Sequence, residues 1–285
     1  MLKKLLKYDM QPIYKVWWII AASVIGISVV GAISLRLFVE ATMANDVSMF
    51  FSVIWMFVGI FSIIGVISSI AITSILAHYR FYKNFYTDEG YLTFTLPASR
   101  KILLFSKTLN TLIWETAHTV LILICALIYF IIVPPGGEDS IINPIVFEEF
   151  GKIISATWKT TGAWLILYVF EFLILAVCTR AFSIILIELC ITIGAIISKK
   201  YKLLVAIGIY YLVNGALSFA SQLIMTFGMS FSGEGLYLIL EKMSLTATHA
   251  ALAVLLLVIA AIIATITLIL YFVMLDKIER KLNLA

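Results

Sequence analysis

Residues 160–198 read TTGAWLILYVFEFLILAVCTRAFSIILIELCITIGAIIS. This run decides the fold, because its 39 residues can be counted as one membrane span or as two. As a single helix it extends roughly 58 Å, nearly twice a ~30 Å hydrocarbon core. It is then one long tilted or projecting helix, or a membrane helix that follows an extracellular one. The alternative is a pair of spans turning near Thr179-Arg180. The stretch CTRAFS has no Gly, Pro, Asn or Asp for a tight turn in lipid, which speaks against a pair.

The basic residues give the same answer. Six spans are expected at about 16–39, 49–77, 109–133, 160–198, 201–229 and 248–274. With both termini cytoplasmic, the inner set is Lys3, Lys4, Lys7, Lys15, Arg80, Lys83, Arg100, Lys101, Lys107, Lys199, Lys200, Lys202, Lys277, Arg280 and Lys281. The outer set is Lys152, Lys159 and Lys242, and Arg36 and Arg180 lie within apolar runs. This bias strongly favours positive-inside topology; splitting the fourth run would move Lys199, Lys200 and Lys202 outside and invert every later segment.

Composition agrees. Of 285 residues 63% are hydrophobic and 13% charged, with a mean hydropathy of +1.10. Soluble domains carry about 25% charged and 45–50% apolar residues. An ordinary soluble protein, a disordered chain and a disulfide scaffold are excluded, and an all-α polytopic membrane protein is expected, forming a single transmembrane domain over 1–285. Its expected location is the cell membrane. Cys125, Cys178 and Cys190 lie in apolar runs and form no CxxC pair. The basic residues are scattered, which argues against nucleic acid. The first apolar run is too long for a signal-peptide core and is expected to act as an uncleaved anchor.

Residues 1–15, MLKKLLKYDMQPIYK, carry Leu2, Leu5, Leu6, Met10 and Ile13 at helical spacing among lysines. An amphipathic helix in the inner headgroup layer is expected before the first span, with Tyr14, Trp17 and Trp18 in the aromatic belt. All five prolines fall outside the expected spans. The outer loops, 134–159 and 230–247, hold Glu138, Asp139, Glu148, Glu149, Glu234 and Glu241; the second is read as a short interfacial or re-entrant helix. The girdle of Trp158, Trp164 and Tyr168 is read as an interface anchor, and Gly59 and Gly65, six apart, make no GxxxG motif.

Motifs of enzymes are missing: no HExxH, no GxSxG, no phosphate loop of the form GxxxxGK[ST]. His78, His118 and His249 lie in separate segments without ligand spacing. No catalytic, metal or cofactor residue is assigned, and the chain by itself is not expected to bind ATP. Ionisable residues inside apolar runs each need an account. Glu115 and His118 share a helix face and can pair. Arg36 and Arg180 lie near the outer boundary, where they can snorkel. Glu188 falls near mid-membrane and is expected to face the subunit interior or a dimer interface, paired with a cation or protonated. Glu171 lies further out.

The inner segment 78–108 holds FYTDEGYLTFTLP at 85–97, then Ser106-Lys107 and Trp114. With six spans and a short basic start, this resembles the small permease subunits of ABC-2 type exporters of Gram-positive bacteria, those exporting amphipathic peptides such as phenol-soluble modulins above all. The residue-level likeness covers about 85–114. It implies an all-helical permease that works with a separate ATPase subunit, which holds the ATP and Mg, and with a second permease copy or a sister permease. It also implies that 78–108 is a cytoplasmic coupling loop. In it Asp88 and Glu89 start a helix or meet basic partner residues, Gly90 permits a sharp turn, and Pro97 ends the element. Tyr91, Leu92 and Phe94 are the expected apolar contacts. The other reading of this stretch is that it folds the loop against its own helix ends. The expected function is export of hydrophobic or amphipathic cargo, peptides in particular. A multidrug or antimicrobial-peptide immunity permease is the alternative; a secondary transporter or membrane enzyme comes next, and the proline-free spans weigh against the transporter.

Overall fold

The computed structural model describes residues 2–44, 49–134, 144–242 and 244–281, and they are helical with short connections. The helices are α1 (Leu2–Ala44), α2 (Met49–Tyr86), α3 (Asp88–Phe94), α4 (Arg100–Ile132), α5 (Pro144–Thr161), α6 (Trp164–Ile197), α7 (Lys202–Lys242) and α8 (Leu245–Lys281). Six of them, α1, α2, α4, α6, α7 and α8, are long and apolar enough to cross a membrane. Much of their surface is apolar and bare: Phe61, Ile75, Phe172 and Leu212 are each about two-thirds or more exposed. Such a surface is stable in lipid, where it costs nothing to leave it uncovered.

The helices are longer than the expected spans. The N-terminal segment is no separate helix: α1 continues from Leu2 through Pro12 to Ala44, 43 residues or about 64 Å. The segment expected as an inner loop is largely helical as well, since α2 runs to Tyr86 and α4 begins at Arg100. Likewise α7 extends to Lys242, through much of the expected second outer loop. Glu138, Asp139 and the rest of 135–143 lie outside the described residues, as do the side chains of Glu234 and Glu241. In the fourth run the break falls at Gly162, whose φ of 55° lies in the left-handed region that suits glycine. There α5 ends, and α6 then passes unbroken through Thr179-Arg180. On α5, Glu148 and Glu149 flank Lys152 at 3.1 and 2.8 Å, and these contacts hold the lysine ammonium above its usual pKa.

The chain divides into two compact units, Met1–Arg80 with Phe105–Thr160, and Phe81–Leu104 with Thr161–Ala285. In the first, α1 and α4 run parallel and α2 runs antiparallel to both, as their partners show. Trp17 of α1 packs on Trp114 of α4 at 5.4 Å, and Ser62 of α2 bonds Tyr129 of α4 at 2.6 Å. Ala21, Val24, Val66, Leu121 and Cys125 form the buried core between them. Gly31 of α1 lies directly against the Ser62 side chain, and Gly59 of α2 against Leu35. The two glycines thus serve packing inside the chain, a role that no GxxxG spacing announced. At the start of α1, the Asp9 carboxylate pairs with Lys107 and accepts from Ser106 at 3.0 Å.

In the second unit α6 packs on both α7 and α8. A methyl group on Gly194 would stand 2.7 Å from the backbone of Lys202 and Ala206, so this glycine sets how closely α6 and α7 approach. Trp164 stacks on His249 at 5.7 Å, and the Tyr168 hydroxyl bonds the His249 Nδ1 at 2.7 Å. The two aromatics read as an interface girdle therefore fasten α6 to α8.

The glycine contacts make a direct test. Gly31→Val puts methyl groups into Ser62 and the Tyr129 hydroxyl and should cost about 1–3 kcal/mol, read as a lower unfolding midpoint in detergent. Gly26→Ala, whose added carbon meets no neighbouring element within 4 Å, should not lower the midpoint.

Candidate functional site

The short helix α3 is built on the last turn of α2. Thr87 leaves the helical region (φ −119°, ψ −173°), its hydroxyl donates back to the Lys83 carbonyl at 2.6 Å, and its own carbonyl accepts the Gly90 N–H at 2.8 Å. Asp88 and Glu89 fill the first turn, where carboxylates favour the exposed N–H groups of a helix start. Gly90 does not make a sharp turn; it is helical and buried, and a Cβ there would stand 2.8 Å from the Phe85 carbonyl oxygen. The glycine lets α3 lie close on α2. Thr95 N–H closes the last turn on the Tyr91 carbonyl at 3.1 Å, two residues before Pro97.

The two sides of α3 differ. The inner side carries Gly90, Thr93 and Phe94; the Phe94 ring meets Phe85 edge-on at 5.5 Å, and the Arg100 guanidinium lies 5.5 Å from its centre. Phe94 is thus an anchor inside the chain and not an outward contact. Glu89 is half-exposed and pairs with Lys83 at 2.6 Å. The outer side presents Asp88, with Tyr91 and Leu92 at 65% and 66% exposure. Half of this stretch thus folds onto helix ends, and half faces outward.

Around α3 the helix ends are tied together. Arg100 donates to the carbonyls of Ile278 and Glu279 at 3.0 and 2.8 Å, capping α8. Lys202 of α7 donates to the Tyr86 carbonyl at 2.7 Å, and the Tyr86 hydroxyl bonds Thr192 of α6 at 2.7 Å. Tyr86 and Thr192 escaped the sequence reading, because a Tyr and a Thr 106 residues apart carry no joint signal.

The ionisable residues of the spans fall in both units. In the first unit, α2 and α4 enclose a polar cluster. The Ser69 hydroxyl donates to the Val66 carbonyl at 2.6 Å, which leaves its oxygen to accept from His118 Nε2 at 3.0 Å. Thr73 lies 3.2 Å from Nδ1, so both ring nitrogens are satisfied. Glu115 accepts from Ser74 at 2.7 Å and lies 3.4 Å from His78 Nε2. All of the acidic and imidazole groups here are over nine-tenths buried. The sequence let Glu115 and His118 pair along one helix; the structure gives both of them cross-helix partners on α2, Ser69 and Thr73 for His118 and Ser74 and His78 for Glu115. A signal existed, since Ser69 and Thr73, and Ser74 and His78, are each four apart on α2.

In the second unit Glu188 is fully buried on α6, one turn from Thr192, whose hydroxyl donates to the Glu188 carbonyl at 2.8 Å. Glu171 is also buried, and neither of its carboxylate oxygens has a hydrogen-bond partner. Arg180 is half-buried on α6. In the first unit Arg36 pairs with Glu40 one turn on at 2.7 Å. Among the described residues no three His, Cys, Asp or Glu side chains are grouped to hold a metal ion.

His118→Leu should lower stability by about 0.5–2 kcal/mol, the usual range for a hydrogen bond between membrane helices. Adding Ser69→Ala and Thr73→Val removes the stranded hydroxyls and should recover most of the loss in the same unfolding assay.

No protein-family model, curated protein or solved structure matches this chain, so the resemblance at 85–114 stands on those residues alone.

Proposed function

We propose that this chain is the membrane subunit of an ATP-driven exporter of the ABC type, moving hydrophobic or amphipathic cargo with a separate ATPase subunit. The observation that carries the reading is the two-sided α3. Its outer side offers a carboxylate, a phenol and a leucine, while its inner side is bolted to α2 and, through Phe94, to Arg100. A partner pressing on Asp88, Tyr91 and Leu92 would move the ends of α6, α7 and α8 through the Tyr86, Lys202 and Arg100 bonds. That is how a rigid-body switch is passed from a motor to spanning helices. Within the second unit the helix ends around α3 also hold Lys83, Arg100, Lys101, Lys199, Lys200, Lys202 and Lys277, which argues under the positive-inside rule for a cytoplasmic position, beside an ATPase.

Two measurements test this reading. In a background with the native cysteines replaced, Thr87→Cys in sealed cells should resist an impermeant thiol reagent, whereas Ser155→Cys and Ser244→Cys should react. Labelling at Thr87 would turn the topology over.

Solubilised from its native membrane, the chain should copurify with an ATP-hydrolysing subunit. Asp88→Lys with Leu92→Asp should reduce that association at least tenfold without lowering membrane expression, because both side chains face outward. A mismatched interface charge costs several kcal/mol. Unchanged recovery of the ATPase would remove α3 from the interface. Recovery of no ATPase even with the unaltered chain would remove the exporter reading itself.

The buried Glu115, His78 and His118 favour a secondary transporter as the second reading, because buried ionisable groups mark ion pathways. Transport that survives ATP depletion and stops with a protonophore would select it.

A further inference from the structure

We propose that the N-terminal part of α1 and Trp114 of α4 form a binding site for one anionic phospholipid. An open groove of about 810 Å³ lies here, between Lys3, Lys7 and Lys15 on one side and Trp114 on the other, with Met10 and Tyr14 in its lining. At 100° per residue these α1 side chains fall within an arc of about 140°, and the lysines span about 18 Å along the helix. All three lysines are exposed. The one acidic residue of the segment, Asp9, is turned away from them and neutralised by Lys107, with Ser106 also donating to it. That bond fixes the rotation of α1, so the lysine stripe cannot roll off the groove. The net charge on the groove is therefore positive, and its apolar lining, Leu6, Met10 and Tyr14, extends to Trp114.

A second observation points to a ligand. Trp114 is 5% exposed and its indole N–H has no hydrogen-bond acceptor. A buried donor without an acceptor is costly, and a phosphate or ester oxygen supplies one when the indole edge turns into the groove that Trp114 lines. Ammonium groups along one side, an apolar lining and an indole donor suit a phosphodiester that carries acyl chains. Basic pockets beside membrane helices commonly hold such headgroups. The inference concerns the lipid contact of α1 and α4 and holds whether or not the chain works with an ATPase.

The test uses the full chain reconstituted in nanodiscs and released for native mass spectrometry. The probes are phosphatidylglycerol, cardiolipin and phosphatidylcholine. The unaltered protein should retain the two anionic lipids well over tenfold better than phosphatidylcholine. Each of Lys3→Gln, Lys7→Gln and Lys15→Gln should lower that retention about fivefold. Trp114→Phe keeps the ring and removes the donor, and it should lower retention with no change in charge. Lys159→Gln, in α5, should have no effect. Equal retention of phosphatidylcholine, unchanged retention in all three lysine variants, or full displacement by millimolar inorganic phosphate would each overturn the proposal; the last would mean a site for free anions without acyl chains.

Discussion

Polar side chains in hydrocarbon must find partners, and in the first unit that requirement fixes how α2 and α4 meet. His118 and Glu115 sit among apolar residues, where neither can be hydrated. Each takes its partners from α2: Ser69 and Thr73 for the imidazole, Ser74 and His78 for the carboxylate. Hydrophobic contact alone is a weak guide to register in lipid, because leucine against lipid costs little more than leucine against leucine. Hydrogen bonds have direction, so this cluster sets both rotation and height. Ser62 and Tyr129 repeat the same device further along the pair.

Small residues do the rest of the positioning. Gly31 and Gly59 let α1 approach α2, and Gly194 brings α6 onto the start of α7. Where the backbone comes this close, dispersion contacts and side-chain bonds become available together. The Asp9 carboxylate then locks α1 to α4 near the entry of the chain, and Arg100 and Lys202 cap helix ends in the second unit. These pairs and caps lie toward helix ends.

The short helix α3 depends on these caps. Seven residues cannot hold a helix alone, because nucleation is costly and few bonds repay it. Gly90 lets it touch the Phe85 carbonyl, and the Phe85–Phe94–Arg100 stack covers its inner side. The outer residues Asp88, Tyr91 and Leu92 have no such role in folding.

Spans, their number and the charge bias were legible from the sequence, because hydropathy and length are properties of consecutive residues. The acidic start of α3 was legible for the same reason, as was the isolation of Glu188 from water. Helix ends were not: α1 runs through Pro12, and α2 and α4 reach into 78–108, since polar helix extensions outside the hydrocarbon carry no hydropathy signal. Only tertiary structure decided that Phe94 turns inward, that Trp164 and Tyr168 fasten α6 to α8, and that Thr192 meets Tyr86. Each of these depends on residues far apart in the chain, so their chemistry becomes specific only when packing brings the partners within bonding distance.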